Sequence, residues 1–261
     1  MFGSFTANTP GTDFGEQMLN KVASQSIRHL FSESESVDVV IRCNPSSKLL
    51  QGSIDNFRMS GRNLVIRRQF EVAEMSFETD AVSLDFSSVL SGKIRLRQPT
   101  QAVAQVVLTQ AGINRAFKAE LVQKRLCGLD NPKLTQFSGG EPVSFDDVKV
   151  DLLPDNQIKI YAVAMLPNGA VPVSLRATLA VERRRRLSFS EPVFVPDGIE
   201  PAQQGIAEIL TLEFAEILDS MVDLDRFDLD GVVLRINRLE TDDDHLIFSG
   251  YAQIEQFPKG A

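Results

Sequence analysis

A period-two alternation that begins at Val37 does most to limit the folds open to this chain. Val37, Val39, Ile41 and Cys43 fall on one side of an extended backbone and Asp38 and Arg42 on the other, as a half-buried β-strand requires. Further runs of this kind cover 48–59, 64–70, 75–79, 82–86 and 93–97. The connections between them are too short for a crossover, so consecutive strands must be antiparallel neighbours in a meander. Between Ile54 and Phe57 the alternation slips by one residue, which predicts a β-bulge.

Three segments change to a helical period. Phe14, Met18, Val22, Ile27, Leu30 and Phe31 form an apolar stripe over about 13–31, with Glu16, Lys21 and Arg28 on the other face. After a strand at 102–108, Thr109 is placed to cap a second helix whose Ile113, Phe117 and Leu121 recur at i, i+4 and i+8, and Gly128 and Pro132 end it near Leu126. A third helix, 201–222, carries a wide apolar face of Ile206, Ile209, Leu210, Phe214, Ile217, Leu218 and Met221. Strands are predicted at 143–153, 157–165, 173–181 and 187–194, turned by Pro154-Asp155-Asn156 and by Asn168-Gly169. A closing hairpin, 232–239 and 246–254, turns at Asp242–Asp244. Helices segregated from strands in this way define an α+β fold. We expect a flexible leader at 1–13, one domain over 14–254 with 131–142 as a linker or long loop, and a tail at 255–261.

The chain has 261 residues, enough to bury a sizeable core, and its 17 Phe against 2 Tyr and no Trp suit an interior without hydrogen-bonding aromatics. A net charge of -8 argues against nucleic acid as a partner, because phosphates need a basic footprint. Cys43 and Cys127 are too few for a disulfide framework and read as buried small hydrophobes. Met1 to Asp13 has neither a basic start nor an apolar run, so no signal peptide or anchor is expected, and no stretch is apolar for long enough to span a bilayer. The expected location is cytoplasmic, peripheral on the cytoplasmic face of an inner or thylakoid membrane.

Chemistry leaves little trace. His29 and His245 lack partners by motif, and G-x-S-x-G, phosphate-loop and dinucleotide-binding patterns are absent. Two histidines and two cysteines make no zinc cluster, and the acids Asp223, Asp225, Asp228 and Asp230 fail the spacing of a calcium loop. We therefore expect no catalytic residue, metal or cofactor. The one conspicuous cluster is Arg183-Arg184-Arg185-Arg186 after Glu182. It reads either as a solvated strand end or as a patch for anionic lipid head groups, where each basic side chain contributes about 1 kcal/mol.

The run from Leu49 through Gln51-Gly52-Ser53-Ile54-Asp55-Asn56-Phe57 to Gly61, with Leu64-Val65-Ile66, Met75-Ser76-Phe77-Glu78-Thr79 and Phe86, resembles the LmeA-like phospholipid-binding family, common in cyanobacteria and actinobacteria. Leu108-Thr109-Gln110-Ala111-Gly112-Ile113-Asn114 and the hairpin around Gly231-Val232-Val233 and Leu246-Ile247-Phe248-Ser249-Gly250 are similar to it as well. This family resembles tubular lipid-binding proteins. The resemblance implies a strongly curved antiparallel sheet wrapped around long amphipathic helices, with an apolar groove for acyl chains and no catalytic motif. Phospholipid or another acyl lipid would be the ligand, bound and transferred with transient membrane docking. Candidate groove residues are Phe14, Met18, Val22, Ile113, Phe117, Ile209, Phe214 and Ile217, with plain core packing as the alternative for each. Candidate membrane contacts are Arg183 to Arg186, with Phe2 and Phe5 in the leader. The competing function is a non-catalytic scaffold for a membrane-associated protein partner.

Overall fold

The structure, a computed structural model, describes residues 14–45, 47–85, 87–88, 95–221 and 231–255. The leader, the acids of 222–230 and most of the tail lie outside the described residues. Two antiparallel sheets dominate. The first contains β1 (Ser36–Arg42), β3 (Asn56–Ile66), β4 (Phe70–Thr79), β6 (Thr100–Thr109), β12 (His245–Ile254) and β11 (Val232–Asp242), in that spatial order. The second contains β10 (Arg186–Phe194), β9 (Gly169–Glu182), β8 (Gln157–Leu166) and β7 (Ser144–Leu152). A two-residue ladder joins β2 (Ser53–Ile54) to β5 (Val82–Ser83). The architecture is thus α+β and antiparallel, with the chain divided between sheets and not gathered into one meander.

The helices are α1 (Phe14–Arg28), α2 (Ser47–Leu50), α3 (Gln110–Ala116), α4 (Glu120–Leu126), α5 (Pro132–Thr135) and α6 (Gln204–Met221). The helix expected over 110–126 is two. Thr109 caps the first as predicted, its hydroxyl accepting from the Gly112 amide at 3.0 Å. Tight turns at Lys118 and Ala119 then end it, and Ala119 is extended before α4 begins. The bend carries Leu126 fully into the core and leaves Leu121 exposed, so the i, i+4, i+8 stripe does not survive as one face. Cys127, the next residue, is exposed, whereas Cys43 is buried. The 131–142 segment contains α5, and its Leu134 and Ser138 are buried.

Two local expectations on the first sheet change for visible reasons. Lys48, read as the start of a strand, lies in α2, where its ammonium meets Asp55 at 2.7 Å. Asp55 also accepts from the Asn44 amide, so this carboxylate closes the 44–55 excursion. The slip at Ile54–Phe57 is accordingly a strand boundary and not a bulge, with both residues buried on either side of Asp55. Register breaks occur elsewhere: between Asp146 and Lys149, between Ser190 and Val193, and between Ile236 and Arg238.

Helix side chains close the sheet edges. Asn114 of α3 donates to the Val150 carbonyl at 2.9 Å and accepts from the Val150 amide at 2.7 Å, and Gln110 one turn earlier accepts from the Leu152 amide. The amides of one helix thereby mimic a fifth strand against β7. Asn20 of α1 accepts from the Ile41 amide on β1, and Asp219 of α6 accepts from the Phe189 amide on β10. On β11, the Ile236 amide donates to the Arg184 carbonyl, and Asn156 exchanges hydrogen bonds with Thr241 and Leu239.

Replacing Asn114 with Ala strips both Val150 groups of their partners and should lower the unfolding free energy by about 1–3 kcal/mol, read as a shift in urea midpoint at unchanged slope. Thr211 on α6 gives the opposite sign. Its hydroxyl is fully buried with no hydrogen-bond partner among the described residues, so Thr211→Val should raise the urea midpoint, by an amount equivalent to about 1 kcal/mol.

Candidate functional site

The two sheets bury their inner faces to different degrees. On the four-stranded sheet the centre of that face is closed: Phe145, Val150, Ile160, Ala162, Val173 and Leu175 are all essentially inaccessible, while Val181, Phe189 and Phe194 toward β10 are partly buried. Phe145 stacks on Phe214 with ring centroids 4.5 Å apart, and Leu210 and Leu218 complete the contact one turn either side. On the six-stranded sheet a set of positions toward the middle of that face stays half-buried. Met75 and Phe77 on β4, Val106 and Leu108 on β6, Phe248 on β12 and Leu234 and Ile236 on β11 all retain partial exposure. Between them Ala102, Ala104 and Ala252 are buried, as are the residues at the ends of the face, among them Ile41, Met59, Leu64, Leu239 and Leu246.

This half-covered face links the buried clusters. Leu108 packs both against the core under α6 and against the cluster formed by Ala23, Ile27, Val39, Ile41 and Phe57. Phe77 and Leu96 join that second cluster to the alanines of β6 and β12. A continuous apolar track therefore runs along the inner face from α1 to β11. Gly250 sits within it because no side chain fits: a Cβ there would collide with the Arg235 carbonyl, where the β11 bulge folds against β12.

The predicted groove residues fall in different places. Ile113 on α3 and Phe117 at its C-cap, with Phe214 and Ile217 on α6, gather at the larger core, and Phe214 is fully buried. Ile209 lies on the outward side of α6 beside Leu212, each 41% exposed. Phe14, Met18 and Val22 are on α1, which packs against β1, but their side chains lie outside the described residues. The strand residues of the half-covered face were not singled out from the sequence. Their period-two pattern was visible, but which of two sheets would remain uncovered depends on where α6 packs.

The arginine run is divided by its turn. Arg183 and Arg184 both have positive φ, 48° and 61°, and the Arg185 amide donates to the Glu182 carbonyl at 3.1 Å, the signature of a type I′ hairpin turn. Such turns favour Asn-Gly, and a side chain in the left-handed region costs roughly 1–2 kcal/mol per residue. Arg186 is tied to Asp219 of α6, with Glu182 at 4.0 Å. Arg184 lies over the Tyr251 ring at 5.8 Å from its centroid, and Arg183 makes no hydrogen bond or ion pair with a described residue.

Ionisable groups elsewhere are structural pairs. Lys133 bridges Glu216 at 2.9 Å and Glu213 at 3.3 Å, and these two carboxylates hold its ammonium above the usual lysine range. Arg58 and Glu78 face each other on the outer side of the first sheet, where the guanidinium keeps the carboxyl below its ordinary value. Among the described residues, no three His, Cys, Asp or Glu side chains converge as a metal site. No described helix is long and apolar enough to cross a membrane.

A mostly antiparallel α+β protein with one apolar sheet face largely buried and a second left partly covered at its middle is the class this geometry defines. The chain belongs to the LmeA-like phospholipid-binding family, whose sequence profile matches residues 11–250. No curated protein matches the chain.

Because the Arg183–Arg184 turn holds two side chains where small residues are relaxed, the double substitution Arg183→Asn, Arg184→Gly should stabilise the fold by about 1 kcal/mol. Thermal denaturation at low ionic strength checks this, and an unchanged or lowered Tm would show that the tip is not strained.

Proposed function

We propose that this protein binds phospholipid, or another acyl-chain lipid, by laying the chains along the half-covered inner face of the six-stranded sheet. The observation that carries the reading is the contrast between the two sheets. The same chain buries most of one apolar face under α6, yet leaves Met75, Phe77, Val106, Leu234, Ile236 and Phe248 partly exposed on the other. Each methylene shielded from water there contributes about 0.8 kcal/mol, so even partial enclosure of two acyl chains holds a lipid firmly. Membership of a family described as phospholipid-binding supports the same ligand.

On this reading the protein binds and carries lipid and does not transform it. α1 would form one wall, with Phe14, Met18 and Val22 on its apolar stripe, and Ile113 and Phe117 would close the end nearer α3. The sheet and its helices would then form the tubular arrangement in which acyl chains lie between them, within one domain spanning 14–254. Transfer requires brief contact with a bilayer from its cytoplasmic side, and the arginine run is the basic element able to meet head groups.

Purified full-length protein should carry about stoichiometric phospholipid, detected by extraction and mass spectrometry. Leu234→Glu, which places a charge on the half-covered face near the sheet edge, should lower that content at least fivefold while leaving the circular dichroism spectrum unchanged. Wild-type protein that is repeatedly empty and takes up no fluorescent lipid, particularly if it retains one stoichiometric protein partner, overturns the reading in favour of a scaffold.

A further inference from the structure

On the outer face of the six-stranded sheet, β1, β3, β4 and β6 bring Asp38, Ser60, Ser76 and Gln105 into one cross-strand row. Longer side chains stand on both sides of it. Two residues along the strands one way lie Arg58 and Glu78, and two residues the other way lie Ser36, Arg62, Glu74 and Val107. A pair of serines between rows of long side chains leaves a depression, and its volume is about 260 Å³. Asp38, Ser60, Ser76 and Gln105 line it together with Arg62 and Glu74. Ser76 is half-buried, and Asp38 and Gln105, at the two ends of the row, are exposed.

The two flanking rows treat their charges differently. Arg58 and Glu78 satisfy each other, with the guanidinium 2.7 Å from the carboxylate. Arg62 and Glu74 also stand directly opposite each other, yet no ion pair forms between them. The Arg62 guanidinium leans the other way and donates to the Ser36 hydroxyl at 3.4 Å. The side chains of Asp38, Ser60, Glu74, Ser76 and Gln105 make no hydrogen bond or ion pair with a described residue. Polar groups that neighbour one another without pairing, around one concavity, present their donors and acceptors to whatever enters it.

We propose that this depression binds a neutral saccharide, either free or as the sugar head group of a glycolipid. The inventory of donors and acceptors selects that class. Asp38 and Glu74 only accept, Arg62 only donates, and the serines and Gln105 do both. Each sugar hydroxyl also does both, so a ring carrying several of them satisfies all these partners together. A phosphate would face two carboxylates against one guanidinium, and a simple cation would face that guanidinium. A zwitterion suits the charges but leaves the serines and Gln105 without partners. Val107 adds an apolar spot for the C–H face of the ring. Partners recur along the row at the strand spacing of about 4.8 Å, the scale of one sugar ring. The proposed acyl-binding face is on the other side of the same sheet, so this inference goes beyond the proposed function and does not rest on it.

Saturation-transfer NMR on the full-length protein with glucose, galactose and mannose should detect binding of at least one of them, and the 6-phosphate of that sugar should bind roughly tenfold more weakly. Ser76→Val fills the depression with a side chain suited to a strand and should abolish the signal. Asp38→Ala and Gln105→Ala, at exposed positions, should weaken binding roughly tenfold and roughly threefold. Gln101→Ala, on the same face beyond the Arg58–Glu78 row, should leave it unaltered. Phosphatidylcholine vesicles with and without the diacylglycerol glycoside of the bound sugar identify the source. Retention on the glycoside vesicles that free sugar displaces assigns a head group, and free-sugar binding without retention assigns a free saccharide. No signal from any of the three hexoses, or equal affinity for the phosphorylated sugar, would overturn the proposal. So would Ser76→Val, Asp38→Ala and Gln105→Ala proteins that fold by circular dichroism and bind sugar as wild type does. Phospholipid extraction keeps the two readings apart: Ser76→Val should retain the lipid content of wild type, and sugar binding by a lipid-free chain supports this site while removing the acyl-binding reading.

Discussion

The pair of hydrogen bonds between the Asn114 side chain and the backbone of Val150 holds the two halves of this protein in one arrangement. α3 follows β6 directly, so it belongs by connectivity to the six-stranded sheet, yet its amides satisfy the edge of β7 in the four-stranded one. Gln110 repeats the contact one turn earlier at Leu152. Because a backbone group left unpaired in this setting costs as much as several good apolar contacts, the seam tolerates little sliding. The positions of β7, of the core beneath α6 and of Leu108 between the clusters all follow from it.

Closing one sheet and leaving the other half-covered is a matter of where the long helix goes. α6 lies across β9 and β10, and its buried face meets residues of both other strands of that sheet. The inner face of the six-stranded sheet receives α1 near β1 and α3 at the opposite end of β4, which leaves the middle to side chains of intermediate exposure. Small residues at Ala102, Ala104, Gly250 and Ala252 keep that middle low.

Much of this was legible from residue order. The alternation from Val37 marked β1, the Thr109 cap marked the start of α3, and Asp155-Asn156 marked a turn in which both residues have positive φ. The family resemblance carried by the glycine-punctuated strands was legible as well. What escaped the sequence depends on neighbours distant in the chain. A polar Asn114 on an apolar-striped helix gives no local sign that it will cap a strand 36 residues away. Arginines at 183 and 184 are not turn residues by propensity, and pairing across the hairpin forces them into the left-handed region. The stripe through Leu121 is periodic in the sequence but not continuous in the fold, because burial of Leu126 outweighs it.

Each outer sheet edge meets a cap: Asn20 on β1, Asn114 on β7, Asp219 on β10, and Asn156 with the Arg184 carbonyl on β11. β10 adds Pro192, which has no amide to offer. An apolar face open to water ordinarily invites a second chain to pair with it, and such pairing begins at free strand edges. Here each of the four edges carries at least one such cap, so pairing of another polypeptide along them meets an interrupted ladder. On the proposed lipid-binding reading, what completes the half-covered face brings apolar chains and no backbone, so it makes no use of the edges that the caps interrupt.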